Sequence, residues 1–460
     1  MSILPHGFVE SLEGIPGFEK KTFENVHVER NPVTSIRINP AKQPDIVHRS
    51  LPVDRKIPWS SNGYYLTDRP SFTLDPLLHA GCYYVQEASS MYLEEAIRQT
   101  INVSLPLKVL DLCAAPGGKS TLIQSVLSEK SLIISNEVIR QRAGIIEENC
   151  IKWGSANFVV TSNDAKDFAR LEHFFDLIVV DAPCSGSGLF RKDPEAISHW
   201  SPSNVQLCAQ RQQRILADVY PSLKKNGILI YATCSYSTQE NELIADWLIS
   251  NFNFSSLRLQ ADVSWNIVET RSPDKKGFCY RFFPNLVQGE GFFISCFKKN
   301  EGEESLSRKQ YQPRLEKINN KEKLLLSKFV KNEDNLVFVK HHESILALPE
   351  PVTPFLGKLQ DCLYLRNAGV RIGKAAHNEM IPDHHLAVSK LINKHFVAIS
   401  LKREQALQYL RKQEVMIDTT LRGWILAQYE SVNIGWMKHL GGRINNYYPK
   451  EWKILKSENY

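Results

Sequence analysis

The chain has 460 residues, 43% hydrophobic, 10% aromatic and 23% charged, which excludes a disordered, collagenous or coiled-coil chain and predicts more than one domain. Its apolar runs are strand-sized, and residues 1–10 lack a basic flank followed by an apolar core, so a soluble, cytoplasmic protein without a membrane span is expected. The formal net charge is +6, yet residues 351–460 hold sixteen Lys+Arg against nine Asp+Glu, a net of +7 that leaves −1 for the rest; a positive excess confined to the last quarter points to a polyanion, most simply nucleic acid.

Residues 1–100 read as an N-terminal α/β domain, irregular over 57–84, where Trp, Tyr, Pro and Gly are dense. Residues 101–300 alternate short apolar runs with helical patterns. Strands are predicted at 109–112, 132–135, 157–160, 177–180, 228–232 and 292–297, and helices at 142–153, 203–223 and 238–250. The first helix puts Ala143, Ile146, Cys150 and Trp153 on one face, with Gly154 as its C-cap. The other two open with capping residues, Ser203 and Thr238. This alternation predicts a doubly wound, Rossmann-like parallel sheet with right-handed crossovers. Residues 301–325 are polar and read as a linker. An intermediate α/β domain is expected over 326–390. The Gly- and aromatic-rich end, 391–460, suggests a small, strongly curved β-module.

The stretch KVLDLCAAPGGKST begins at Lys108 and joins a strand to a helix through small residues. Small residues allow close backbone approach, and the helix N-terminus offers free N–H groups. A phosphate-cradling loop needs Gly where Cys113 stands, and the dinucleotide fingerprint G-x-G-x-x-G is absent. S-adenosylmethionine, which carries no phosphate, fits the loop formed by Cys113, Ala114, Ala115, Pro116, Gly117, Gly118 and Lys119. Glu137, Asp164 and Asp181 follow the second, third and fourth strands. Glu137 is placed for ribose hydroxyls and Asp164 for an adenine amino group, along one crevice at the strand C-termini.

The nine cysteines include no CxxC pair, and no two lie closer than seventeen positions; neither a disulfide framework nor a metal centre is expected. Cys150, Cys208, Cys279 and Cys296 read as packing residues. Cys184 and Cys234 differ, because each stands just past a strand end, in DAPCSGSG and ATCSYSTQENE. Both strands end at one edge of the sheet, so both thiols can face one substrate. Carbon 5 of a pyrimidine is a poor nucleophile. A thiolate adding to carbon 6 makes it enamine-like and able to accept a methyl group; a base then removes the carbon 5 proton and the thiolate leaves. Asp181 is the candidate acid near ring nitrogen 3.

These residues resemble the Sun-type RNA cytosine-C5 methyltransferases and, within them, the RsmF group of bacterial ribosomal RNA methyltransferases. The resemblance rests on YYVQEASSM, LDLCAAPGGKS, DAPCSGSG, ATCSYSTQENE and QGEGFF. It departs at Asn285, which follows Pro284 where the family often has Pro-His. The resemblance implies Cys234 as nucleophile, Cys184 as the thiol assisting release, and Cys113 to Lys119, Glu137, Asp164 and Asp181 as cofactor residues. It adds Arg142 to the cofactor site, and Lys192 and Asp193 beside the target nucleotide. It also implies a PUA-like RNA-binding end, in which Lys438, Arg443 and Lys450 suit RNA contacts, while Trp424 and Trp436 read as the core of a small barrel.

The expected activity is therefore methyl transfer from S-adenosylmethionine to cytosine carbon 5 in RNA, most simply 16S ribosomal RNA or a small-subunit particle, by a monomer. The alternatives are a transfer RNA cytosine-C5 methyltransferase, or a ribosome-assembly factor that needs no catalysis. Adenine amino-methylation is disfavoured, because Pro183 is followed by Cys184 rather than by a second proline and an aromatic.

Overall fold

A computed structural model describes residues 4–29, 31–302, 315–331, 335–376 and 379–456. Four sheets organise them. The first contains β1 (Ser35–Ile38), β2 (Val53–Lys56), β3 (Gly63–Leu66) and β4 (Tyr83–Val85) in the order β2-β3-β1-β4, all antiparallel. Residues 57–84, which read as irregular, thus contain β3 and the start of β4. These strands are too short, at four and three residues, to leave an alternating signature.

The central sheet is built from β5 (Lys108–Asp111), β6 (Leu132–Asn136), β7 (Phe158–Thr161), β8 (Phe175–Asp181) and β9 (Leu223–Thr233). Every pairing among these five is parallel. Each carries a run of mostly Val, Ile, Leu or Phe buried on both faces, which in β9 begins only at Ile228, after the exposed Lys225 and Asn226, the pattern that made them legible. All six predicted strands are present. From β5 the chain moves outward to β6 and β7, then crosses to β8 and β9. The crevice between β5 and β8 is therefore a topological switch point, where ligands bind in open α/β sheets.

Beyond β9 the sheet is not parallel. β10 (Phe254–Leu257), β11 (Val268–Arg271), β12 (Phe278–Phe282) and β13 (Phe292–Lys299) add on antiparallel. For β11 and β12 the reason is connection length: the few residues between them suffice for a hairpin, whereas a parallel return needs a dozen or more.

The helix Arg140–Trp153 ends at Gly154, whose φ of +88° closes it and where a Cβ would lie 2.7 Å from the Val388 carbonyl. The predicted helix at 203–223 is Pro202–Val219. Its cap is Ser201, not Ser203, with Pro202 in the first turn, where its missing N–H costs nothing. At 238–250 a 3-10 turn, Thr238–Glu240, is capped by Ser237 and precedes the helix Glu242–Asn251.

Of the expected linker at 301–325, residues 303–314 fall outside the described residues. Its described end forms β14 (Glu316–Lys317) and the start of the helix Asn320–Leu326, which carries a full capping box. The third sheet continues with β15 (Leu336–His341) and β16 (Ser344–Pro349). The next strand, β17 (Leu365–Ala368), instead joins the central sheet antiparallel to β7, before β18 (Val370–Ala376) and β19 (Glu379–Pro382) complete the third sheet. Val339, Leu346, Leu348 and Leu359 share one core with Phe174 and Phe175. The segment 326–390 is thus fused to the central unit rather than set apart from it.

The last sheet holds β20 (Ala398–Ser400), β21 (Gly423–Tyr429), β22 (Val432–His439) and β23 (Ile444–Asn446). Trp436 is fully buried against Phe329, Phe396 and Trp424, the core role read from the sequence, although the four strands form an open sheet and not a closed barrel. In a separate cluster, Leu407 and Ile425 share a core with Ile36 and Leu77 of the N-terminal unit. No described helix is long and apolar enough to cross a membrane.

Candidate functional site

A cavity of about 800 Å³ opens at the C-terminal ends of the parallel strands. Its lining brings together Cys113, Ala114, Ala115, Pro116, Gly118, Lys119, Glu137, Arg142, Asp164, Asp181, Cys184 and Cys234. Gly117 stands just behind, with φ +111°, turning the chain into the helix Gly118–Val126.

The glycine turn is fixed from below. Ser120 Oγ donates to Asp111 Oδ2 at 2.6 Å, and Ala114 N–H donates to the Asn136 carbonyl at 2.8 Å. Burial pushes the Asp111 carboxyl up to about 7. The N-terminal unit contributes Arg37, fully buried over the Trp153 ring at 4.4 Å, which donates to the Gly118 carbonyl at 3.2 Å, to Thr121 Oγ1 at 2.6 Å and to Gln86 Oε1 at 2.8 Å. The Glu137 carboxylate pairs with Arg142 at 3.3 Å, and Arg142 also donates to the Ala115 carbonyl at 3.3 Å. Asp164 pairs with Arg214 at 3.3 Å.

This donor set fits S-adenosylmethionine. A bare backbone turn at a helix N-terminus suits its amino-acid part, and carboxylates at two strand ends suit ribose and adenine donors. Nothing there forms a phosphate cradle.

At the other end of the cavity Lys119 Nζ lies 2.7 Å from Asp181 Oδ2 and 5.4 Å from the Phe292 ring centroid. Burial works against the Lys119 charge, but Asp181 outweighs it and holds the ammonium above the ordinary lysine pKa. β8 and β9 run side by side with Asp181 opposite Ala232. Their outgoing loops converge until Cys184 Sγ and Cys234 Sγ are 3.0 Å apart, both as free thiols. The hydrogen bond to Cys234, reinforced by burial, pushes the Cys184 thiol well above its ordinary pKa. Either sulfur can donate in this contact. Close approach needs Gly188: a Cβ there would sit 2.7 Å from the Cys234 carbonyl and 2.5 Å from that of Gly291.

Two carboxylates in this region carry no role in the sequence reading, although their motifs were recognised. Glu240 is buried beneath both cysteine loops. Glu290 lines the cavity, and burial pushes its carboxyl up to about 7 despite Arg191 at 3.5 Å and Lys192 at 4.0 Å. Lys192 therefore faces a carboxylate beside the cavity, while Asp193 caps the helix Pro194–His199. Lys438, Arg443 and Lys450 lie in the tail, outside the cavity. Lys438 pairs with Glu379 at 2.8 Å over the Trp424 ring; Arg443 and Lys450 are exposed. Among the described residues, no group of three or more His, Cys, Asp or Glu is arranged to hold a metal ion.

Comparison with known proteins matches three stretches of the chain. Residues 4–88 match the N-terminal domain of 16S rRNA methyltransferase RsmF, residues 100–298 the 16S rRNA methyltransferase RsmB/F family, and residues 396–454 the methyltransferase RsmF PUA domain. Ribosomal RNA small subunit methyltransferase F of Shewanella woodyi is 30% identical over 415 residues, 86% of this chain and 84% of that one. Its counterpart in Vibrio campbellii is 29% identical and covers 88% and 86%. A methyltransferase homologue from Pyrococcus horikoshii superposes with a TM-score of 0.54 at 27% identity, over 63% of this chain and 93% of that one. NSun6 from Pyrococcus horikoshii, solved with SFG, shares the fold with a TM-score of 0.54 at 19% identity, over 65% and 100%.

Proposed function

This chain belongs to the RsmF group of 16S rRNA methyltransferases, and from that membership and its paired thiols we propose that it methylates carbon 5 of cytosine in 16S ribosomal RNA through a covalent cysteine–cytosine intermediate. The observation that carries this reading is the 3.0 Å contact of Cys184 and Cys234 inside the cavity that holds the glycine turn. When bound, S-adenosylmethionine supplies an electrophilic methyl group.

The chain's own residues do the rest. The turn from Cys113 to Lys119, with Glu137, Arg142 and Asp164, holds the cofactor. Cys234, accepting the hydrogen bond of the Cys184 thiol, adds as thiolate to carbon 6, and Asp181, salt-bridged to Lys119, steadies the ring near nitrogen 3 as carbon 5 becomes nucleophilic. After carbon 5 is methylated, a base takes the carbon 5 proton, the carbon 5–carbon 6 double bond re-forms and Cys234 leaves as thiolate, its departure assisted by the Cys184 thiol beside it. Lys192 meets the target nucleotide at the cavity rim, and Arg443 and Lys450 of the PUA-like end contact RNA phosphates. Every residue given a role here comes from one chain, which fits action as a monomer on ribosomal RNA or a small-subunit particle.

Bisulfite sequencing of 16S ribosomal RNA and transfer RNA from a strain lacking the gene tests the substrate. Loss of a 5-methylcytosine in 16S RNA is expected; loss confined to transfer RNA overturns the ribosomal assignment.

A further inference from the structure

We propose that Glu240 is a positioning residue whose single carboxylate ties the two cysteine loops together and so sets the distance between the two sulfurs. The inference rests on the cysteine chemistry proposed above. Each cysteine is followed directly by a serine, Ser185 and Ser235, and both serines donate to this one group. Ser185 donates through its backbone N–H at 2.7 Å and its Oγ at 2.5 Å, and Ser235 through its Oγ at 2.6 Å. Gln212 Nε2 donates to Glu240 at 3.3 Å and to the Pro183 carbonyl at 3.1 Å, so the residue before Cys184 is held as well.

The other loop is held from the neighbouring position. Asn241 accepts from Thr233 Oγ1 at 2.6 Å and donates to the Ser235 carbonyl at 2.7 Å, bracketing Cys234. Sulfurs at 3.0 Å need backbones little further apart than the roughly 4.4–6.8 Å that a disulfide spans, so the two loops must stay side by side past the strand ends. Glu240 is the group common to both.

A carboxylate is an expensive way to fill space. Glu240 is fully buried and forms no ion pair among the described residues, and a buried acid without a counter-ion persists only where hydrogen bonds answer it. Burial raises its pKa, against the pull of the Ser185 and Ser235 hydrogen bonds. Its negative charge also adds to the effects that keep Cys184 protonated.

The test uses full-length Glu240→Gln, Ser185→Ala and Ser235→Ala proteins with 16S ribosomal RNA transcribed in vitro, either with cytidine or with 5-fluorocytidine, whose carbon 5 fluorine blocks release. S-adenosylmethionine affinity, by titration calorimetry, is expected to be unchanged in all three. On fluorinated RNA, Ser235→Ala is expected to form the denaturant-stable adduct at least about tenfold more slowly, as misplacement of a reacting group implies. On ordinary RNA, Ser185→Ala is expected to accumulate adduct, because the releasing thiol is displaced. Glu240→Gln is expected to do both, and to lower the pH at which Cys184 is alkylated by iodoacetamide, since the nearby anion is gone.

Adduct formation and release within about twofold of wild type in all three variants overturn the proposal. So does joint loss of cofactor binding and activity, which marks ordinary support of the fold. A wild-type protein that methylates RNA without forming any adduct overturns the cysteine chemistry itself, and the tether with it.

Discussion

Asn163 holds the backbone of Tyr364 from both sides: its Oδ1 accepts from the Tyr364 N–H at 2.9 Å, and its Nδ2 donates to the Tyr364 carbonyl at 3.1 Å. Asn163 directly precedes Asp164 in the cavity, and Tyr364 directly precedes β17. The C-terminal half of the chain is therefore clasped to the adenine end of the proposed cofactor site. Asn163→Ala removes two hydrogen bonds, each contributing about 1 kcal/mol. A melting temperature lowered accordingly and a several-fold weaker S-adenosylmethionine affinity are expected; unaltered calorimetric values for both would refute the clasp.

Cys234→Ala is expected to abolish methyl transfer and leave cofactor affinity intact, because Cys234 lies in the same cavity as the glycine turn but outside it. Cys184→Ala is expected to accumulate a covalent protein–RNA adduct on denaturing gels. Normal turnover of either protein, followed with labelled methyl donor, would assign its role elsewhere.

Deleting the basic last quarter is a poor probe of RNA binding, since it would strip β17 from the central sheet and uncover Phe174, which packs edge-on against Phe355. Charge reversal at the exposed Arg443 and Lys450 spares the fold. The double variant is expected to bind 16S RNA more weakly and to lose about one unit of salt dependence per lost phosphate contact. Filter binding across a salt series measures this, and an unchanged slope would remove both residues from the RNA interface.

Acid should loosen the tail. His384 is buried edge-on against Tyr448 and Trp452, each at 5.2 Å, and neither ring nitrogen has a hydrogen-bond partner among the described residues. Burial, then the charges of Lys152, Lys42, Lys412 and Arg371, push its pKa from 6.5 down to about 3. A histidine held neutral in the fold contributes stability that is fully present above pH 6.5 and is lost as the pH falls toward 3. His384→Leu is expected to flatten the decline of melting temperature between about pH 7 and about pH 5. A wild-type decline no steeper than the variant's would acquit His384.

The central strands and the cysteine motifs were legible because their signals are local. A doubly buried strand is a continuous apolar run, and a thiol beside Pro or Thr at its end is visible in a few letters. Arg37, Asn163 and Glu240 were not legible, because their roles lie in contacts with residues distant in the chain, 84 positions away for Arg37 and Thr121 and 201 for Asn163 and Tyr364. β17 was missed for a related reason. Its four residues, LRNA, carry no periodic signal, and only the partner strand defines them. The antiparallel flank of β10 to β12 escaped because short hairpin strands resemble loops in composition.

The late arrival of β17 has a consequence for biogenesis. During translation β7 emerges at residues 158–161, but the strand that covers its outer edge follows only at residues 365–368. Until then the nascent chain carries an open hydrogen-bonding margin next to Asp164, of the kind that invites pairing with other chains. A polysome-bound fragment ending before Leu365 is thus the stage at which a trigger-type chaperone would have most to shield.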